Sequence, residues 1–401
     1  MQKDKPNIGI VVDNDFNNDI RVRKEARILL ENGYNVFVLC FGYDDKKYDS
    51  VNNIKIERIT IKKEYKDVLF GLLNTFPIYD YIWKNNIYRF IMKFNIHVIH
   101  THDLYMAKPA YTGILKSKKQ IPLILDLHEN FPEAIKSYNW TKGFFRNLLV
   151  QPSKWKKKEK EYLNLASKII VLSNHFKRTL LRKYSFLTEN NIIVYPNVID
   201  FKRFDTFSID KSIKRKDGLT LLYFGGVAER RGIFETINVV KKIIEKGYRI
   251  YLLIIGPVDK VDRKRFYSEI NETSIKDHIE YIPWIDVSKL PTYLSISDIC
   301  LAPFHKNPQH ESGIANKLFQ YMYGGKPIIA SDCAPQKELI ESNNCGLIFS
   351  DIDQYINHII SLINNKKLRL EMGQNAKKAL FSVFKPKIID KKLIIIYQNI
   401  A

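Results

Sequence analysis

Cysteine is scarce in this chain: Cys40, Cys300, Cys333 and Cys345 are the only four among 401 residues, and no two form a CxxC pair. That excludes a scaffold built on disulfides and gives no support to a structural zinc site. The four are expected as ordinary thiols in a reducing compartment. Glycine and proline, 17 and 15 residues, are too few for a collagen-like or linker-like chain. Long apolar runs are missing as well. No stretch approaches the ~18–20 residues needed to span a bilayer, and the run Ile8–Val12 is too short for a signal-peptide core. A cytoplasmic protein is expected, free or peripheral on the inner face of the cell membrane. GxGxxG, Walker A and HExxH patterns are absent, which withdraws support from dinucleotide oxidoreductase, P-loop NTPase and metalloprotease readings.

What is present is positive charge. Lys and Arg number 64 against 43 Asp and Glu, a formal net charge of +21, and both halves of the chain are basic. Such a field favours anionic partners: nucleic acid, acidic lipid headgroups or phosphorylated small molecules. A compositional bias towards Lys, Ile and Asn is the competing explanation of the total. No nucleic-acid-binding motif accompanies the charge, so no nucleic-acid partner is expected. Hydrophobic residues at 45% and charged residues at 27% are a globular composition, and the length suggests about two domains.

Short apolar runs alternate with longer helical patterns. Strands are expected at Ile8–Val12, Val36–Cys40, Val98–His100, Pro122–Leu127, Lys168–Leu172 and Ile192–Tyr195. These runs mostly do not alternate, as befits strands covered on both faces. Helical spacing is clear in Arg21–Asn32, Leu104–Leu115 and Phe176–Lys183. A charged stretch, Asp200–Gly218, reads as an interdomain linker. The alternation then restarts, with strands expected at Thr220–Phe224, Ile250–Ile255, His278–Ile282, Ile299–Ala302, Pro327–Ala330 and Gly346–Phe349. The fold class is α/β: two doubly wound parallel-sheet domains facing a central cleft. Their expected bounds are residues 1–199 and 200–385, with a C-terminal helix over 386–401 crossing back to the first domain.

Three local patterns stand in order along this frame. They are Asp19-Ile-Arg-Val-Arg-Lys-Glu25, then Asp126-Leu-His-Glu129, then Asn316-Lys-Leu-Phe-Gln-Tyr-Met322 running on through Gly325 to Asp332. With Tyr195-Pro-Asn197 and Phe224-Gly-Gly…Arg231-Gly232, the chain resembles the retaining, nucleotide-sugar-dependent family-4 glycosyltransferases of the GT-B fold, of the bacterial surface-polysaccharide type. The resemblance implies a hexosyltransferase-type enzyme. It would move a sugar from a nucleotide diphosphate donor, UDP-linked, to a lipid-linked or glycan acceptor, with no metal or other cofactor.

Breaking the anomeric bond of such a donor builds negative charge on the β-phosphate, which cations and backbone N–H groups must absorb. The loop Gly225-Gly226-Val-Ala-Glu-Arg230-Arg231-Gly232 offers glycines for close approach and two arginines. The family places an arginine where this chain has Gly226; Arg231 fits the family's second cation, with Arg230 as a substitute for the first. The segment Glu311-Ser312-Gly313-Ile314-Ala-Asn316-Lys317 leads into a helix carrying Gln320. The family has glutamates at the positions of Ser312 and Gln320, for sugar and ribose hydroxyls; Glu311 is the neighbouring replacement for the first. Gly256 is expected to line the sugar pocket, and Pro283 and Trp284 to border the base. Catalytic roles fall by resemblance to His128, Arg231, Lys317 and Glu311. Asn14, Asp15, Asp19, His102 and Asp126 are placed on the acceptor side, with Asp103 as a supporting contact. Asp13-Asn-Asp15 is formally a DxD, but it follows the first strand of a doubly wound sheet and is not expected to hold metal.

Residues 136–160 carry eight basic residues against Glu159 alone, interleaved with Trp140, Phe144, Phe145 and Trp155. This composition suits an anionic membrane surface, and the aromatic stretch Val68–Phe94 adds to it. Two other functions stay open at this point: a GT-B nucleotide-sugar epimerase or hydrolase, and a weakly active nucleotide-sugar-binding subunit of a glycosyltransferase complex.

Overall fold

The computed structural model describes residues 5–72, 76–137, 152–214 and 216–400. They fall into two compact units, one of residues 1–196 and 389–401, the other of residues 197–388.

In the first unit eight strands form one sheet in the order β3-β4-β2-β1-β5-β6-β7-β8. The strands are β1 (Asn7–Val12), β2 (Asn35–Gly42), β3 (Tyr48–Val51), β4 (Ile54–Thr60), β5 (Val98–His102), β6 (Leu123–Asp126), β7 (Lys168–Val171) and β8 (Ile192–Val194). All neighbours are parallel except β3 and β4. The central strands are buried on both faces: every residue of β5 and β6 is buried. This is why their sequences read as continuous rather than alternating apolar runs.

The second unit has six parallel strands in the order β11-β10-β9-β12-β13-β14. They are β9 (Leu219–Phe224), β10 (Ile250–Ile255), β11 (Ile279–Ile282), β12 (Ile299–Ala302), β13 (Ile328–Ser331) and β14 (Gly346–Phe349). The stretch expected as a linker belongs to this unit and packs on it. Phe201 and Phe204 are buried, the Phe204 ring lies 5.3 Å from that of Tyr323, and the Asp210 amide donates to Thr292 Oγ1. Apolar residues at 201, 204 and 207 give the strap a buried edge despite its charge.

Among the parallel strands of each sheet the strand order reverses between β1 and β5 and between β9 and β12. Loops leaving the carboxyl ends of those strands diverge to opposite faces, and the gap between them is where α/β sheets bind ligands. His102, Asp103 and the Asp13–Asp19 loop stand at the first such point. The Gly225–Gly232 and 303–316 loops stand at the second.

Candidate functional site

In the second unit two cations converge on one backbone turn. Gly226 lies directly under Arg231: a Cβ on it would sit 2.8 Å from Nη1 of that guanidinium. A Cβ on Gly225 would sit 3.9 Å from Lys317 Cε and 4.0 Å from Arg231 Nη1. The space a side chain at 226 would need is thus filled by Arg231. The turn is held from below by the Tyr223 hydroxyl, which donates to the carbonyls of Gly226 and Arg231 at 3.1 and 3.2 Å. Gly232 closes the loop at φ +73°, and a Cβ there would fall 1.7 Å from the Pro303 carbonyl oxygen. Gly232→Ala should therefore destabilise this unit by about 3 kcal/mol or more and splay Arg231 away from Gly226. A urea titration of the variant beside a nucleotide-binding isotherm would check both effects.

Lys317 is 7% exposed, and among the described residues its Nζ has no hydrogen-bond partner. It rests against aromatic faces, 4.3 Å from the Tyr223 ring centroid and 4.7 Å from that of Phe304. Burial holds its ammonium well below the ordinary lysine value, and the charge of Arg231 adds to this. Burial lowers Arg231 as well. An uncompensated buried ammonium is costly, and an anion is what would satisfy it. The helix Asn316–Tyr323 begins at the same place; the Leu318 amide turns back to the Ala315 carbonyl at 3.0 Å, and no side chain of Ala315 caps the amides before it. Asn316 Oδ1 is buried there, without a hydrogen-bond partner among the described residues.

The other residues expected on the donor side are placed as follows. Arg230 is paired with Asp259 at 3.1 Å, so its charge is already engaged. Ser312 is buried and donates its hydroxyl to the Gln309 carbonyl at 2.7 Å, while Glu311, Gly313, Ile314 and Gln320 are partly exposed. Gly256, at φ +146°, lies so close to the first loop that a Cβ would fall 2.1 Å from the Gly225 oxygen. Pro283 and Trp284 follow β11, and the Trp284 indole is 69% exposed, which excludes core packing as its role.

In the first unit the centre is a buried charge network that sequence reasoning did not assemble. Arg21, on the helix Ile20–Glu31, reaches Asp126 Oδ2 with Nη2 at 2.7 Å and with Nε at 3.0 Å. Its Nε also stands 3.0 Å from Glu25 Oε1, one helical turn on. All three side chains are buried. Burial disfavours the Asp126 carboxylate, yet Arg21 and His128 outweigh it and hold the group well below the usual range. Burial pushes Glu25 up to about 8 against the pull of Arg21. Donor atoms of Glu25, His100, His102 and Asp126 lie within 4.8 Å of one another, a spacing that suits a small cation. The guanidinium already stands against both carboxylates, so the positive charge of this cluster is assigned to Arg21.

His128, two residues beyond β6, is about one-quarter exposed. Its Nε2 is 3.0 Å from His102 Nδ1 and 3.7 Å from Asp126 Oδ2, while its Nδ1 faces Asp103 Oδ1 at 3.9 Å. His102 is pushed well below its ordinary value by burial, with His100 and His128 adding to the effect. A neutral His102 then accepts at Nδ1 from the His128 Nε2–H. Burial opposes charge on His128, but Asp103 and Asp126 outweigh it and carry the ring up to about 9. His128 is thus an imidazolium at neutral pH, built to donate rather than to accept a proton. His102 and Asp126, expected on the acceptor side, are fully buried behind it and support the ring. Asp19 caps the first helix by accepting from Val22 N at 3.0 Å. Asp15 caps the short turn Phe16–Asn18, and Asn14 accepts from the Tyr43 hydroxyl at 3.1 Å. Asp13, the other half of the DxD, is buried and accepts from the Tyr79 hydroxyl at 2.6 Å.

Residues 20–203 match the family described as Glycosyltransferase Family 4, and residues 205–379 match the family described as Glycosyl transferases group 1. The capsular polysaccharide biosynthesis glycosyltransferase CapM of Staphylococcus aureus is 25% identical over 257 residues, 60% of this chain. The chain spans 64% of that relative's length. Among solved structures, sucrose-phosphate synthase from Thermosynechococcus elongatus aligns over 98% of this chain and 99% of its own, at TM-score 0.75 and 18% identity. HepE of Anabaena, solved in complex with UDP, aligns over 98% of this chain and 100% of its own, at TM-score 0.70 and 12% identity. At these identities the structural likeness speaks to the fold, which is GT-B. The two family matches thus divide the chain between them, one falling largely on each Rossmann-like sheet.

Proposed function

We propose that the protein is a glycosyltransferase. It moves a hexose from a nucleoside diphosphate donor, UDP-linked, to a lipid-linked or glycan acceptor in surface polysaccharide assembly, with retention of configuration. The observation that carries this reading is the buried Lys317 ammonium, unpartnered among the described residues, beside the Arg231 guanidinium, over the Gly225–Gly226 turn at the switch point of the second sheet. Two fixed cations and open helix amides are suited to the charge that grows on a departing β-phosphate. The solved complexes of HepE with UDP and with UDP-glucose support a uridine donor. In this reading Gln320 meets the ribose as a neutral partner, Trp284 borders the base, and Glu311 stands near the sugar. His128, already protonated, keeps its proton and acts as a charged hydrogen-bond donor towards the reacting sugar, while the one proton released, that of the acceptor hydroxyl, passes to the departing phosphate oxygen.

The test is a panel of nucleotide-sugars scored by thermal shift and by nucleoside diphosphate release, with and without a glycolipid acceptor. Stabilisation by UDP together with acceptor-dependent release supports the proposal; release without acceptor identifies a hydrolase instead. Because the chain itself supplies the cations, turnover is expected to persist within about twofold in excess EDTA. A collapse that magnesium or manganese restores would contradict this.

The acceptor side is proposed to face an anionic membrane from the cytoplasm. Residues 138–151 of the basic–aromatic segment lie outside the described residues. Beside them, Lys154, Lys156, Lys157 and Lys160 are exposed on or next to the helix Trp155–Leu163. The helix Lys63–Gly71 buries none of its residues, and Tyr65, Val68, Phe76, Ile78 and Tyr81 are all exposed. Phe131 joins the two regions, its ring 6.4 Å from Phe70 and 4.7 Å from Trp155. Each lysine near an anionic surface is worth about 1 kcal/mol. Replacing these four lysines by glutamine should therefore lower affinity for phosphatidylglycerol vesicles at least 100-fold in sedimentation assays. Equal binding to neutral vesicles would sink the idea. No helix among the described residues is long and apolar enough to cross a membrane.

A further inference from the structure

Among the described residues of the first unit, Asp103 is one of the few besides glycine with a positive φ. It sits at φ +69° and ψ 143°, a region that glycine occupies freely and other residues enter only when something compels them. The chain nevertheless has an aspartate there, immediately after β5. Its amide is fixed by the Asp126 carbonyl at 2.8 Å, and one carboxylate oxygen, Oδ2, accepts from the Tyr105 hydroxyl at 3.2 Å. The other oxygen, Oδ1, faces Nδ1 of His128 at 3.9 Å. The strained backbone therefore aims a carboxylate at the outward nitrogen of the ring whose inward nitrogen is held by His102 and Asp126.

We propose that Asp103 is a positioning residue. It clamps the outer edge of the His128 imidazole against Asp126, so that the ring keeps one orientation and both of its protons. The inference deepens the function proposed above and rests on His128 acting at the reacting sugar. The charged and titratable groups around the ring are Asp103 after β5, Asp126 and His102 on β6 and β5, and Arg21 and Glu25 behind Asp126. Burial pushes the Asp103 carboxyl up to about 7 against the pull of His128, and Asp13 and Glu129 add to the rise. Of these, Asp103 and Asp126 are the carboxylates within ion-pair distance of His128 among the described residues. Only Asp103 approaches from the partly exposed side.

Two variants and one direct readout test this. In Asp103→Asn the shape is kept and the charge removed. The His128 resonance, assigned through His128→Gln, should then titrate at least one pH unit lower than in the wild type. The alkaline limb of kcat should move the same way, while KM for the donor changes less than twofold. Asp103→Gly releases the backbone strain and also loses the carboxylate. Its thermal midpoint should rise by about 2 °C, while kcat falls at least tenfold. A residue with a merely structural role would lower both stability and activity. An unchanged His128 titration in Asp103→Asn overturns the proposal, and so does a drop in thermal midpoint in Asp103→Gly. A shifted titration combined with full activity in His128→Gln would leave the clamp standing and defeat the catalytic reading of His128 instead.

Discussion

Lys317→Met should lower kcat/KM by about 10³-fold and weaken UDP binding strongly, while leaving the protein at least as stable as the wild type. The first effect follows from the loss of a fixed cation at the point where leaving-group charge develops, for which single donors are worth about 10²–10³. The second follows from burial: the wild-type ammonium is 7% exposed with no hydrogen-bond partner among the described residues, so its removal relieves a desolvation cost. Binding should also carry a proton signature. Burial holds the free ammonium well below the ordinary lysine value, and a bound diphosphate must raise it. The nucleotide therefore binds with proton uptake, and affinity falls as pH rises through the free-state value towards the bound one. Calorimetry in buffers of different ionisation enthalpy measures this directly. Proton release on binding, or a variant that binds UDP as the wild type does, would contradict the assignment of Lys317.

Arg21→Met is expected to cost about 3–5 kcal/mol, because it strands the Asp126 carboxylate in the core of the first unit. The sign of the pH dependence distinguishes this from a packing defect. In the wild type Asp126 is held well below its unfolded value by Arg21 and His128, after a burial penalty, so its contribution is present above about pH 4 and is lost below. In the variant the same burial has no guanidinium against it, the folded value rises, and the destabilisation grows with pH. The gap between variant and wild type should therefore be widest near pH 7 and narrow towards pH 4. Trp83 and Trp155 are both buried in this unit and report its unfolding by fluorescence. A gap of equal size at both pH values would point to lost packing alone.

The parallel strands were legible because burial on both faces leaves a continuous apolar run; β10, β12 and β14 fall on the expected residues. The hairpin of β3 and β4 was not among the expected strands. Tyr48–Val51 is a polar edge, and Ile54-Lys-Ile-Glu-Arg-Ile-Thr60 alternates as a half-covered strand should. The signal was there in Asn52-Asn53, both with positive φ as a tight hairpin turn requires. The helix Lys63–Gly71 escaped because none of its residues is fully buried; Leu69 and Phe70 only partly cover the core they pack on.

Of the candidate site, the glycine-rich loop stands out by residue type and order, while Lys317 and His128 are singled out by the family resemblance. The Arg21–Glu25–Asp126 network could not, since it joins residues 105 positions apart. Its trace in the sequence is a charged pair four residues apart, beside the apolar positions Val22, Ala26 and Leu29. On an amphipathic helix that places the pair at the edge of the buried face. The role of Gly226 was legible only as a departure. Its reason lies in the fold, where Arg231 occupies the volume a side chain would take.

The first unit is interrupted in the chain by the whole of the second, and it is completed by residues 389–401. The clearest tie is the Tyr397 hydroxyl, 2.6 Å from Nδ1 of the buried His100 across 297 positions of sequence. A chain emerging from the ribosome makes the first 196 residues early, yet withholds the piece that seals them. The uninterrupted second unit has all of its residues in hand sooner. Maturation should then run against the usual N-terminal-first order, with all eight strands of the first sheet made but waiting on residues 389–401 for their cover.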